Sequence, residues 1–325
     1  MLKFSIEDVK ELNLWDKFIE SSDQGTIFSN SNYLNKAVEN YRILFVRKGE
    51  KIKCGLVLIE DKENSNIIND DLIIYAGLIF STEIEQKRVK TILERHEITG
   101  FIIKWLVSRY KKIDINLSPQ VEDMRPFLWL NYHSENVKDK FHLDLRYTSY
   151  VNFNSKDLLK NNLNSQLFRS FDTLRKRNIR EGIKAGCYSK FGNDIEFFLD
   201  SYSSLMEEQG QKQDQKKLNH MSSLLDMILT KNFGQFIITY DSKNRPIYST
   251  IFCWDSKRAY YLFGAPAPGV RERYMGSIAF WHSFLYLAER GISIVDLEGV
   301  NSPKRGYFKM GFGGNLTPYY RIYKT

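Results

Sequence analysis

The predicted secondary structure of this chain repeats itself, and the repeat constrains the fold more than any single motif. Alternating hydrophobicity marks strands, and apolar residues three and four apart mark helices. By these criteria the order strand, strand, strand, helix, strand occurs in each half of the chain. The first set spans 43–46, 52–59, 72–77, 86–110 and 112–117, and the second spans 235–240, 247–254, 259–264, 273–290 and 292–297. The repeat predicts a duplicated α+β unit, in which a helix covers mostly antiparallel strands.

Further helices are predicted outside the repeat. A short strand and two helices are expected before Tyr41, and helices at 194–209 and 215–231 precede the second repeat. Residues 161–184 are predicted to be helical and are strongly basic; the cations of this basic segment are Arg169, Arg175, Lys176, Arg177, Arg180 and Lys184. Such a segment is either a solvated surface or a contact to phosphates, for example those of a tRNA backbone.

The segment from Ile292 to Leu316 has the pattern of a functional site. Side chains alternate along a strand, so Asp296 and Glu298 are predicted to point from one face of the last predicted strand. A loop is expected next, in which glycines would let the backbone turn tightly or approach a ligand closely. This loop contains three cations and four glycines: Lys304, Arg305, Lys309, Gly306, Gly311, Gly313 and Gly314.

Both ends of the chain resemble the FemAB/FemX-like branch of the GNAT acyltransferases. The C-terminal signature is Asp-Leu-Glu-Gly at 296–299, then Phe308-Lys309-Met-Gly311-Phe-Gly313-Gly314, then the aromatic strand 318–323. The N-terminal match is Trp15-Asp-Lys-Phe18, Gly25-Thr-Ile-Phe28 and Ser31-Asn-Tyr-Leu34. The resemblance implies two tandem GNAT-like (acyl-CoA N-acyltransferase) domains with a cleft between them. The first would comprise residues 1–147 with the C-terminal strand 318–325, and the second, 148–317, would carry the donor and catalytic site.

Three residues are candidates for catalysis, and for Lys309 the role is what the resemblance implies. Lys309 aligns with the family's lysine that stabilises the oxyanion formed when an amine attacks an acyl group. Glu298 and Asp296 are candidates for deprotonating the acceptor amine, Glu298 being the better placed at the strand end. The alternative is that a carboxylate pairs with Lys304 or Arg305 and holds the loop.

Donor binding is expected at the helix that begins near Arg273. GNAT enzymes bind the CoA pyrophosphate on backbone N–H groups at such a helix start, where the helix dipole favours anions. The chain offers Arg271, Arg273, Gly276 and Ser277, but Ile278 stands where the family signature has Gly or Ala. Another donor, or a plain helix cap, therefore stays open.

Acceptor binding is predicted for Lys36, Tyr260, Phe308 and Arg305, the first three on the resemblance. Lys36 lies near the place of a basic residue that meets the diphosphate of a nucleotide-linked precursor, and the aromatics would line a channel. The alternatives are a solvated lysine and aromatics that pack in the core.

Composition limits the remaining classes of function. The net charge of +8 favours an anionic partner, such as CoA, a nucleotide-linked sugar, a peptidoglycan precursor or tRNA. The five histidines and three cysteines show no metal-ligand spacing, so no metal is expected. With neither a signal peptide nor an apolar run of about 18 residues, a cytoplasmic location without a membrane segment is expected.

The sequence thus predicts an N-acyltransferase that transfers an acyl group from acyl-CoA, for example acetyl-CoA. The acceptor would be a primary amine of a nucleotide-linked amino sugar or of another cell-envelope precursor. One alternative is an aminoacyl-tRNA-dependent, FemX-like enzyme that forms peptidoglycan bridges. Another is a non-catalytic nucleotide or tRNA-binding module, because fold alone does not establish activity.

Overall fold

The computed structural model describes residues 4–82 and 87–325. The chain divides into two compact units, Met1–Arg146 with Pro318–Thr325, and Tyr147–Thr317. The elements assigned entirely to the first unit are β1 (Ser5–Asp8), α1 (Leu12–Ser21), α2 (Ser31–Ala37), β2 (Tyr41–Lys48), β3 (Lys51–Ile59), β4 (Gly77–Phe80), α3 (Arg88–Arg109), β5 (Ile113–Asn116) and α4 (Arg125–Trp129). Strand β6 (His142–Asn152) leads into the second unit.

The second unit contains most of the residues of interest. Its elements after β6 are α5 (Ser155–Asn161), α6 (Gln166–Ser170), α7 (Thr173–Lys184), β7 (Tyr188–Gly192), α8 (Ile195–Glu208), α9 (Gln215–Thr230), β8 (Gly234–Tyr240), β9 (Pro246–Trp254), β10 (Ala259–Pro266), α10 (Met275–Glu289), β11 (Ile294–Asp296) and α11 (Pro303–Met310). Strand β12 (Asn315–Lys324) leads back into the first unit.

In the first unit, strands β1 to β4 form a sheet in sequence order. The hairpin of β2 and β3 turns at Gly49, whose φ of 58° suits glycine in such a tight connection. Alternate residues of this sheet pack in one core cluster, which α3 covers with Ile98, Ile102 and Leu106 at helical spacing. The residues between them, such as Phe45 and Val57, are buried as well. The strand β5 pairs antiparallel with the end of β12.

The third strand of the first repeat lies later than predicted. The sequence placed a strand at 72–77, but the structure has β4 at Gly77–Phe80, paired antiparallel with β3. Asp70 accounts for the difference, because its carboxylate accepts the backbone N–H of Leu72 at 2.8 Å and its carbonyl accepts that of Ile73 at 3.1 Å. These bonds close a turn. Leu72 and Ile73 are buried in this turn, but they are not part of a strand of the sheet. The predicted helix from residue 86 begins at Arg88 in the structure, and Gln86 lies outside the described residues.

In the second unit, the strands follow the order β6-β11-β10-β9-β8-β7. The pairing of β10 with β11 is parallel and joins Ala259 to Val295 and Tyr260 to Asp296. Beyond Tyr260, β10 continues to Pro266 against β9. Helix α10 is covered by apolar contacts along most of its length and forms the centre of this unit's core. The order of three strands, helix, strand predicted twice from the sequence is present in both units, as β2-β3-β4-α3-β5 and β8-β9-β10-α10-β11.

The predicted helical stretch 161–184 is interrupted. Helix α6 ends at Ser170, and α7 begins only at Thr173. Phe171 is buried in the core between the two, and the Asp172 carboxylate accepts the backbone N–H of Arg175 at 2.6 Å as the cap of α7. The break allows Phe171 to reach the core and Asp172 to cap the first turn of α7, which a continuous helix would not. The prediction of one helical stretch was therefore wrong.

Candidate active site

Asp296 is the last residue of β11 and is fully buried. Its Oδ1 atom accepts the hydroxyl of Thr148 and, at 2.7 Å, the backbone N–H of Glu298. A buried carboxylate needs such donors, because an ion without them loses its hydration energy on folding. Through this second bond, Asp296 holds the backbone of Glu298, which lies two residues after the end of β11.

Glu298 lies beyond the strand in the left-handed region, with a φ of 56°. The predicted strand alternation therefore does not extend to it, because β11 already ends at Asp296. This conformation is costly for a residue other than glycine and is enriched at functional sites. Glu298 is only 6% exposed, and among the described residues its Oε1 atom has no hydrogen-bond partner. Burial raises the pKa of Glu298 well above its ordinary value; Lys309 opposes this shift and Asp296 adds to it.

Lys309 is on α11, a helix that occupies part of the glycine-containing loop predicted after the last strand. Its Nζ atom donates to the carbonyl of Gly299 at 3.2 Å and lies 5.2 Å from the centre of the Tyr261 ring. The side chain is half-buried, and burial lowers the pKa of Lys309, against the opposing charges of Glu298 and Asp296. The ammonium thus faces inward, with a carbonyl and an aromatic face as its neighbours.

Two of the glycines around Lys309 are required by protein packing rather than left open for a ligand. A Cβ atom at Gly306, within α11, would lie 2.2 Å from the carbonyl oxygen of Val300. At Gly313 the φ is 69°, and a Cβ atom would lie 2.8 Å from the carbonyl oxygen of Ser170. The glycine run therefore sets how closely α11 and the following turn approach neighbouring backbone.

The predicted acceptor residues of the second unit have different surroundings. Phe308 packs against the rings of Phe280 and Phe312 with centroids 5.2 Å away in each case. Tyr260 is fully buried and donates to Asp255 at 2.6 Å, which makes it a core residue, as the alternative interpretation expected. Arg305 is exposed and donates a hydrogen bond to the side chain of Gln209, the residue after α8, and not to a carboxylate of the site.

Lys36 is in the first unit, on α2, and its side chain is exposed. It lies in the last turn of that helix.

The predicted donor residues divide into an exposed pair and a covered pair. Helix α10 begins at Met275, two residues later than predicted, and Arg271 before it forms an ion pair with Glu208 at 2.6 Å. Arg273 is also exposed. Gly276 and Ser277, in the first turn, are buried.

Phe308 and one cation of the basic segment cover this first turn. A Cβ atom at Gly276 would lie 3.1 Å from the Phe308 ring, so the glycine makes room for that side chain. The Ser277 hydroxyl accepts a hydrogen bond from Arg175 Nη1 at 3.1 Å. The first turn of α10 is therefore in contact with protein groups at the place where a donor phosphate was predicted.

Sequence reasoning missed Arg175 because it grouped this residue with the other cations of the basic segment. Arg175 is only 6% exposed, and its guanidinium lies 4.6 Å from the centre of the Phe308 ring. A signal was available: Arg175, Asn178, Ile179 and Gly182 recur at positions i, i+3, i+4 and i+7, and all four are buried in α7. The helical period identifies the inner face even though that face begins with a cation.

Residues 4–82 and 87–325 contain neither a candidate metal site nor a candidate membrane-spanning helix. No group of three or more histidine, cysteine, aspartate or glutamate side chains in this part of the chain could hold a metal ion. Within the same residues, no helix is both long and apolar enough to cross a bilayer.

Comparison with solved structures identifies the fold. FemX superposes with a TM-score of 0.64 at 12% identity, covering 97% of this chain and 96% of FemX. The C-terminal domain of a proposed lysylphosphatidylglycerol synthetase from Agrobacterium fabrum gives 0.57 at 9% identity, covering 97% of this chain and 91% of that domain. A tandem GNAT protein from the clavulanic acid pathway gives 0.54 at 8% identity, covering 98% and 97%. No protein-family model and no curated protein sequence matches the chain. The predicted α+β, tandem GNAT-like fold is confirmed.

Proposed function

We propose that this protein, which has the fold of FemX and of tandem GNAT proteins, is an acyltransferase that forms an amide on a primary amine. One observation carries the proposal: the buried Glu298 carboxylate has an oxygen without a partner among the described residues, and the inward-facing Lys309 ammonium exerts an opposing charge on it. Left-handed backbone at Glu298 supports a functional role, since the fold keeps a conformation that costs free energy. A base and a cation in one buried place are what amide formation needs.

The reaction requires the amine to lose a proton and the carbonyl oxygen to gain negative charge. The nitrogen attacks the acyl carbon, a C–N bond forms, and the C=O electron pair moves onto oxygen, where Lys309 donates a hydrogen bond. Glu298 takes the proton from the amine; its raised pKa makes it a stronger base than an exposed glutamate. The oxyanion then collapses, and the bond to the leaving group breaks with its electron pair.

Acyl-CoA is the proposed donor, and the proposed acceptor is the amine of a nucleotide-linked amino sugar or of another cell-envelope precursor. The structure of the tandem GNAT protein from the clavulanic acid pathway is described as being without AcCoA, and AcCoA is therefore the first donor to test. The exposed Arg273, just before α10, supplies positive charge for an anionic donor, whereas the charge of Arg271 is already paired with Glu208. The test is incubation with acetyl-CoA and a panel of nucleotide-linked amino sugars, with release of free CoA thiol followed over time. Thiol release that depends on the acceptor is expected, and its absence with every acceptor counts against an acyl-CoA donor.

Aminoacyl-tRNA is a second candidate donor, which the surface of α7 favours. Arg177 and Lys184 are exposed on this helix within the basic segment, on the side opposite its buried residues. Contacts to tRNA phosphates would make transfer fall steeply with salt, because each contact releases counterions. The variants Arg177→Glu and Lys184→Glu should then lose the ability to transfer an aminoacyl group from charged tRNA, while any acyl transfer from acetyl-CoA is retained. Binding of either donor without consumption would instead favour a non-catalytic module.

A further inference from the structure

Arg175 is a buried cation that the proposed chemistry does not use. It is 6% exposed, and among the described residues no carboxylate lies within ion-pair distance and its Nε atom has no hydrogen-bond partner. Removing a guanidinium from water without a paired anion costs several kcal/mol. Burial accordingly lowers the pKa of Arg175, although the nearby carboxylate of Asp172 opposes the shift. Other interactions of Arg175 must therefore offset the free-energy cost of burying its guanidinium.

The contacts of Arg175 connect three helices. Its backbone belongs to α7, its Nη1 atom donates to Ser277 in the first turn of α10, and its guanidinium lies 4.6 Å from the ring centre of Phe308 on α11. A cation over an aromatic face contributes about 0.5–2 kcal/mol, the larger value applying when both are removed from water. This cation therefore contacts α11 at Phe308, the residue that precedes Lys309.

The end of α11 is fixed from the same side. The backbone N–H of Asp172, the cap of α7, donates to the carbonyl of Gly311 at 2.9 Å. A Cβ atom at Gly311 would lie 2.6 Å from Asp172 Oδ2 and 2.9 Å from Arg175 Nε, so glycine lets both side chains pass at this position. On its other sides, Phe308 packs on Gly276 and against Phe312. Phe308 is thus held on several sides, with Arg175 providing the polar one.

We propose that Arg175 is a positioning residue: through Phe308 it fixes helix α11 so that Lys309 is directed toward Gly299 and Tyr261. The step from Phe308 to Lys309 is short, because the two are adjacent in the helix and a shift or rotation of one moves the other. A loosened Phe308 would let α11 turn and carry the Lys309 ammonium away from the Gly299 carbonyl. The inference rests on the proposed role of Lys309, but its test needs no substrate.

The test measures the reactivity of Lys309 with a trace of acetic anhydride over a range of pH, read by mass spectrometry of the peptide that contains it. The charges that act on Lys309 are Glu298, Asp296 and Arg305, and Arg175 is not among them. Direct electrostatics from Arg175 is therefore not the expected route. In Arg175→Met the midpoint of the labelling curve should move to higher pH than in the wild type, because a displaced α11 exposes Lys309 to water. An unchanged midpoint in a folded Arg175→Met protein would overturn the proposal.

A double-mutant cycle shows whether the effect passes through Phe308. Phe308→Leu should shift the midpoint in the same direction, and the double variant should shift it no further than Phe308→Leu alone. Shifts that simply add would show that Arg175 acts by another route, and this also overturns the proposal. Should Arg175→Met fail to fold, Arg175→Lys decides: a smaller shift in the same direction supports the proposal, and none contradicts it.

Arg180 is the matched control. It is an arginine of the same helix, and its guanidinium lies 5.2 Å from the ring centre of Phe168, but it is exposed and, among the described residues, makes no contact with α11. Arg180→Met should leave the labelling midpoint of Lys309 at the wild-type value. A shift as large as that of Arg175→Met would mean that any loss of charge from α7 suffices, against the proposal.

Discussion

The backbone N–H of Glu298 donates a 2.7 Å hydrogen bond to the carboxylate of Asp296, two residues earlier in the chain. The same Asp296 oxygen accepts the hydroxyl of Thr148, so the carboxylate joins β6 to the turn that follows β11. This relationship separates the two acids that the sequence offered as alternative bases. Asp296 orients the backbone of Glu298, whereas Glu298 has the carboxylate oxygen without a partner among the described residues.

Asp296→Ala should therefore destabilise the protein strongly. The substitution leaves the Thr148 hydroxyl and the Glu298 N–H buried without their acceptor, at about 1–3 kcal/mol for each group. Urea unfolding should show a loss of roughly 3 kcal/mol in the free energy of unfolding. Asp200→Ala, at an exposed position of α8, is the control and should change stability by less than about 0.5 kcal/mol. Equal losses in the two variants would contradict the assigned role of Asp296.

Glu298→Gln should alter how stability depends on pH. The pKa of Glu298 is raised in the folded state, so between its ordinary value and the raised value the native protein holds a proton that the unfolded chain has released. Wild-type stability therefore falls as pH rises through this window, and glutamine, which cannot ionise, removes that fall. The stability of the variant relative to the wild type should increase as the pH rises above the ordinary pKa of a glutamate, about 4.3.

Urea midpoints measured across that pH range test this prediction. Glu289→Gln, at an exposed position of α10, serves as the control and should run parallel to the wild type. If Glu298→Gln also runs parallel, the carboxylate is not destabilised by burial in the folded protein.

Gly306→Ala and Gly100→Ala should change stability in opposite directions, although both replace a glycine within a helix. A Cβ atom at Gly306 would lie 2.2 Å from the Val300 carbonyl oxygen, whereas nothing lies within 4 Å of one at Gly100. Displacing backbone to fit the methyl group in α11 should cost about 1–3 kcal/mol. In α3 the alanine should instead add about 0.5–1 kcal/mol through its better helix propensity. Thermal unfolding of the two variants measures both signs, and a gain at Gly306 would contradict the close packing of α11.

Much of the fold could be predicted from periodicity. The hairpins, α3 and α10 have strong apolar patterns, and the structure places them within a few residues of their predicted bounds. The strand predicted at 72–77 was wrong because one aspartate, Asp70, closes a turn over a run that has strand composition. The break between α6 and α7 was missed for a similar reason, since the cap at Asp172 is a local contact that hydrophobic period does not record.

The candidate site was only partly predictable. The residue types at Asp296, Glu298 and Lys309 indicated acid, base and cation, but their different roles depend on a left-handed backbone at Glu298 that alternation cannot reveal. Arg175 was hidden among exposed cations, because charge describes a segment while burial depends on which helix face meets the core. Tyr260 shows the converse error: an aromatic assigned by resemblance to a channel is buried against Asp255.

The most direct test of the account is the rate of acyl transfer by Lys309→Met, compared with Lys304→Met, once a donor and acceptor pair is turned over by the wild type. Methionine retains much of the length of the lysine side chain and removes only the charge that is proposed to meet the oxyanion. Removing one such stabilising group costs about 100- to 1,000-fold in kcat. Lys304 is exposed on the same helix, so its variant should keep the wild-type rate. The account predicts that Lys309→Met is folded and slower by about two orders of magnitude or more with KM little changed; a folded Lys309→Met protein that transfers at the wild-type rate would contradict it.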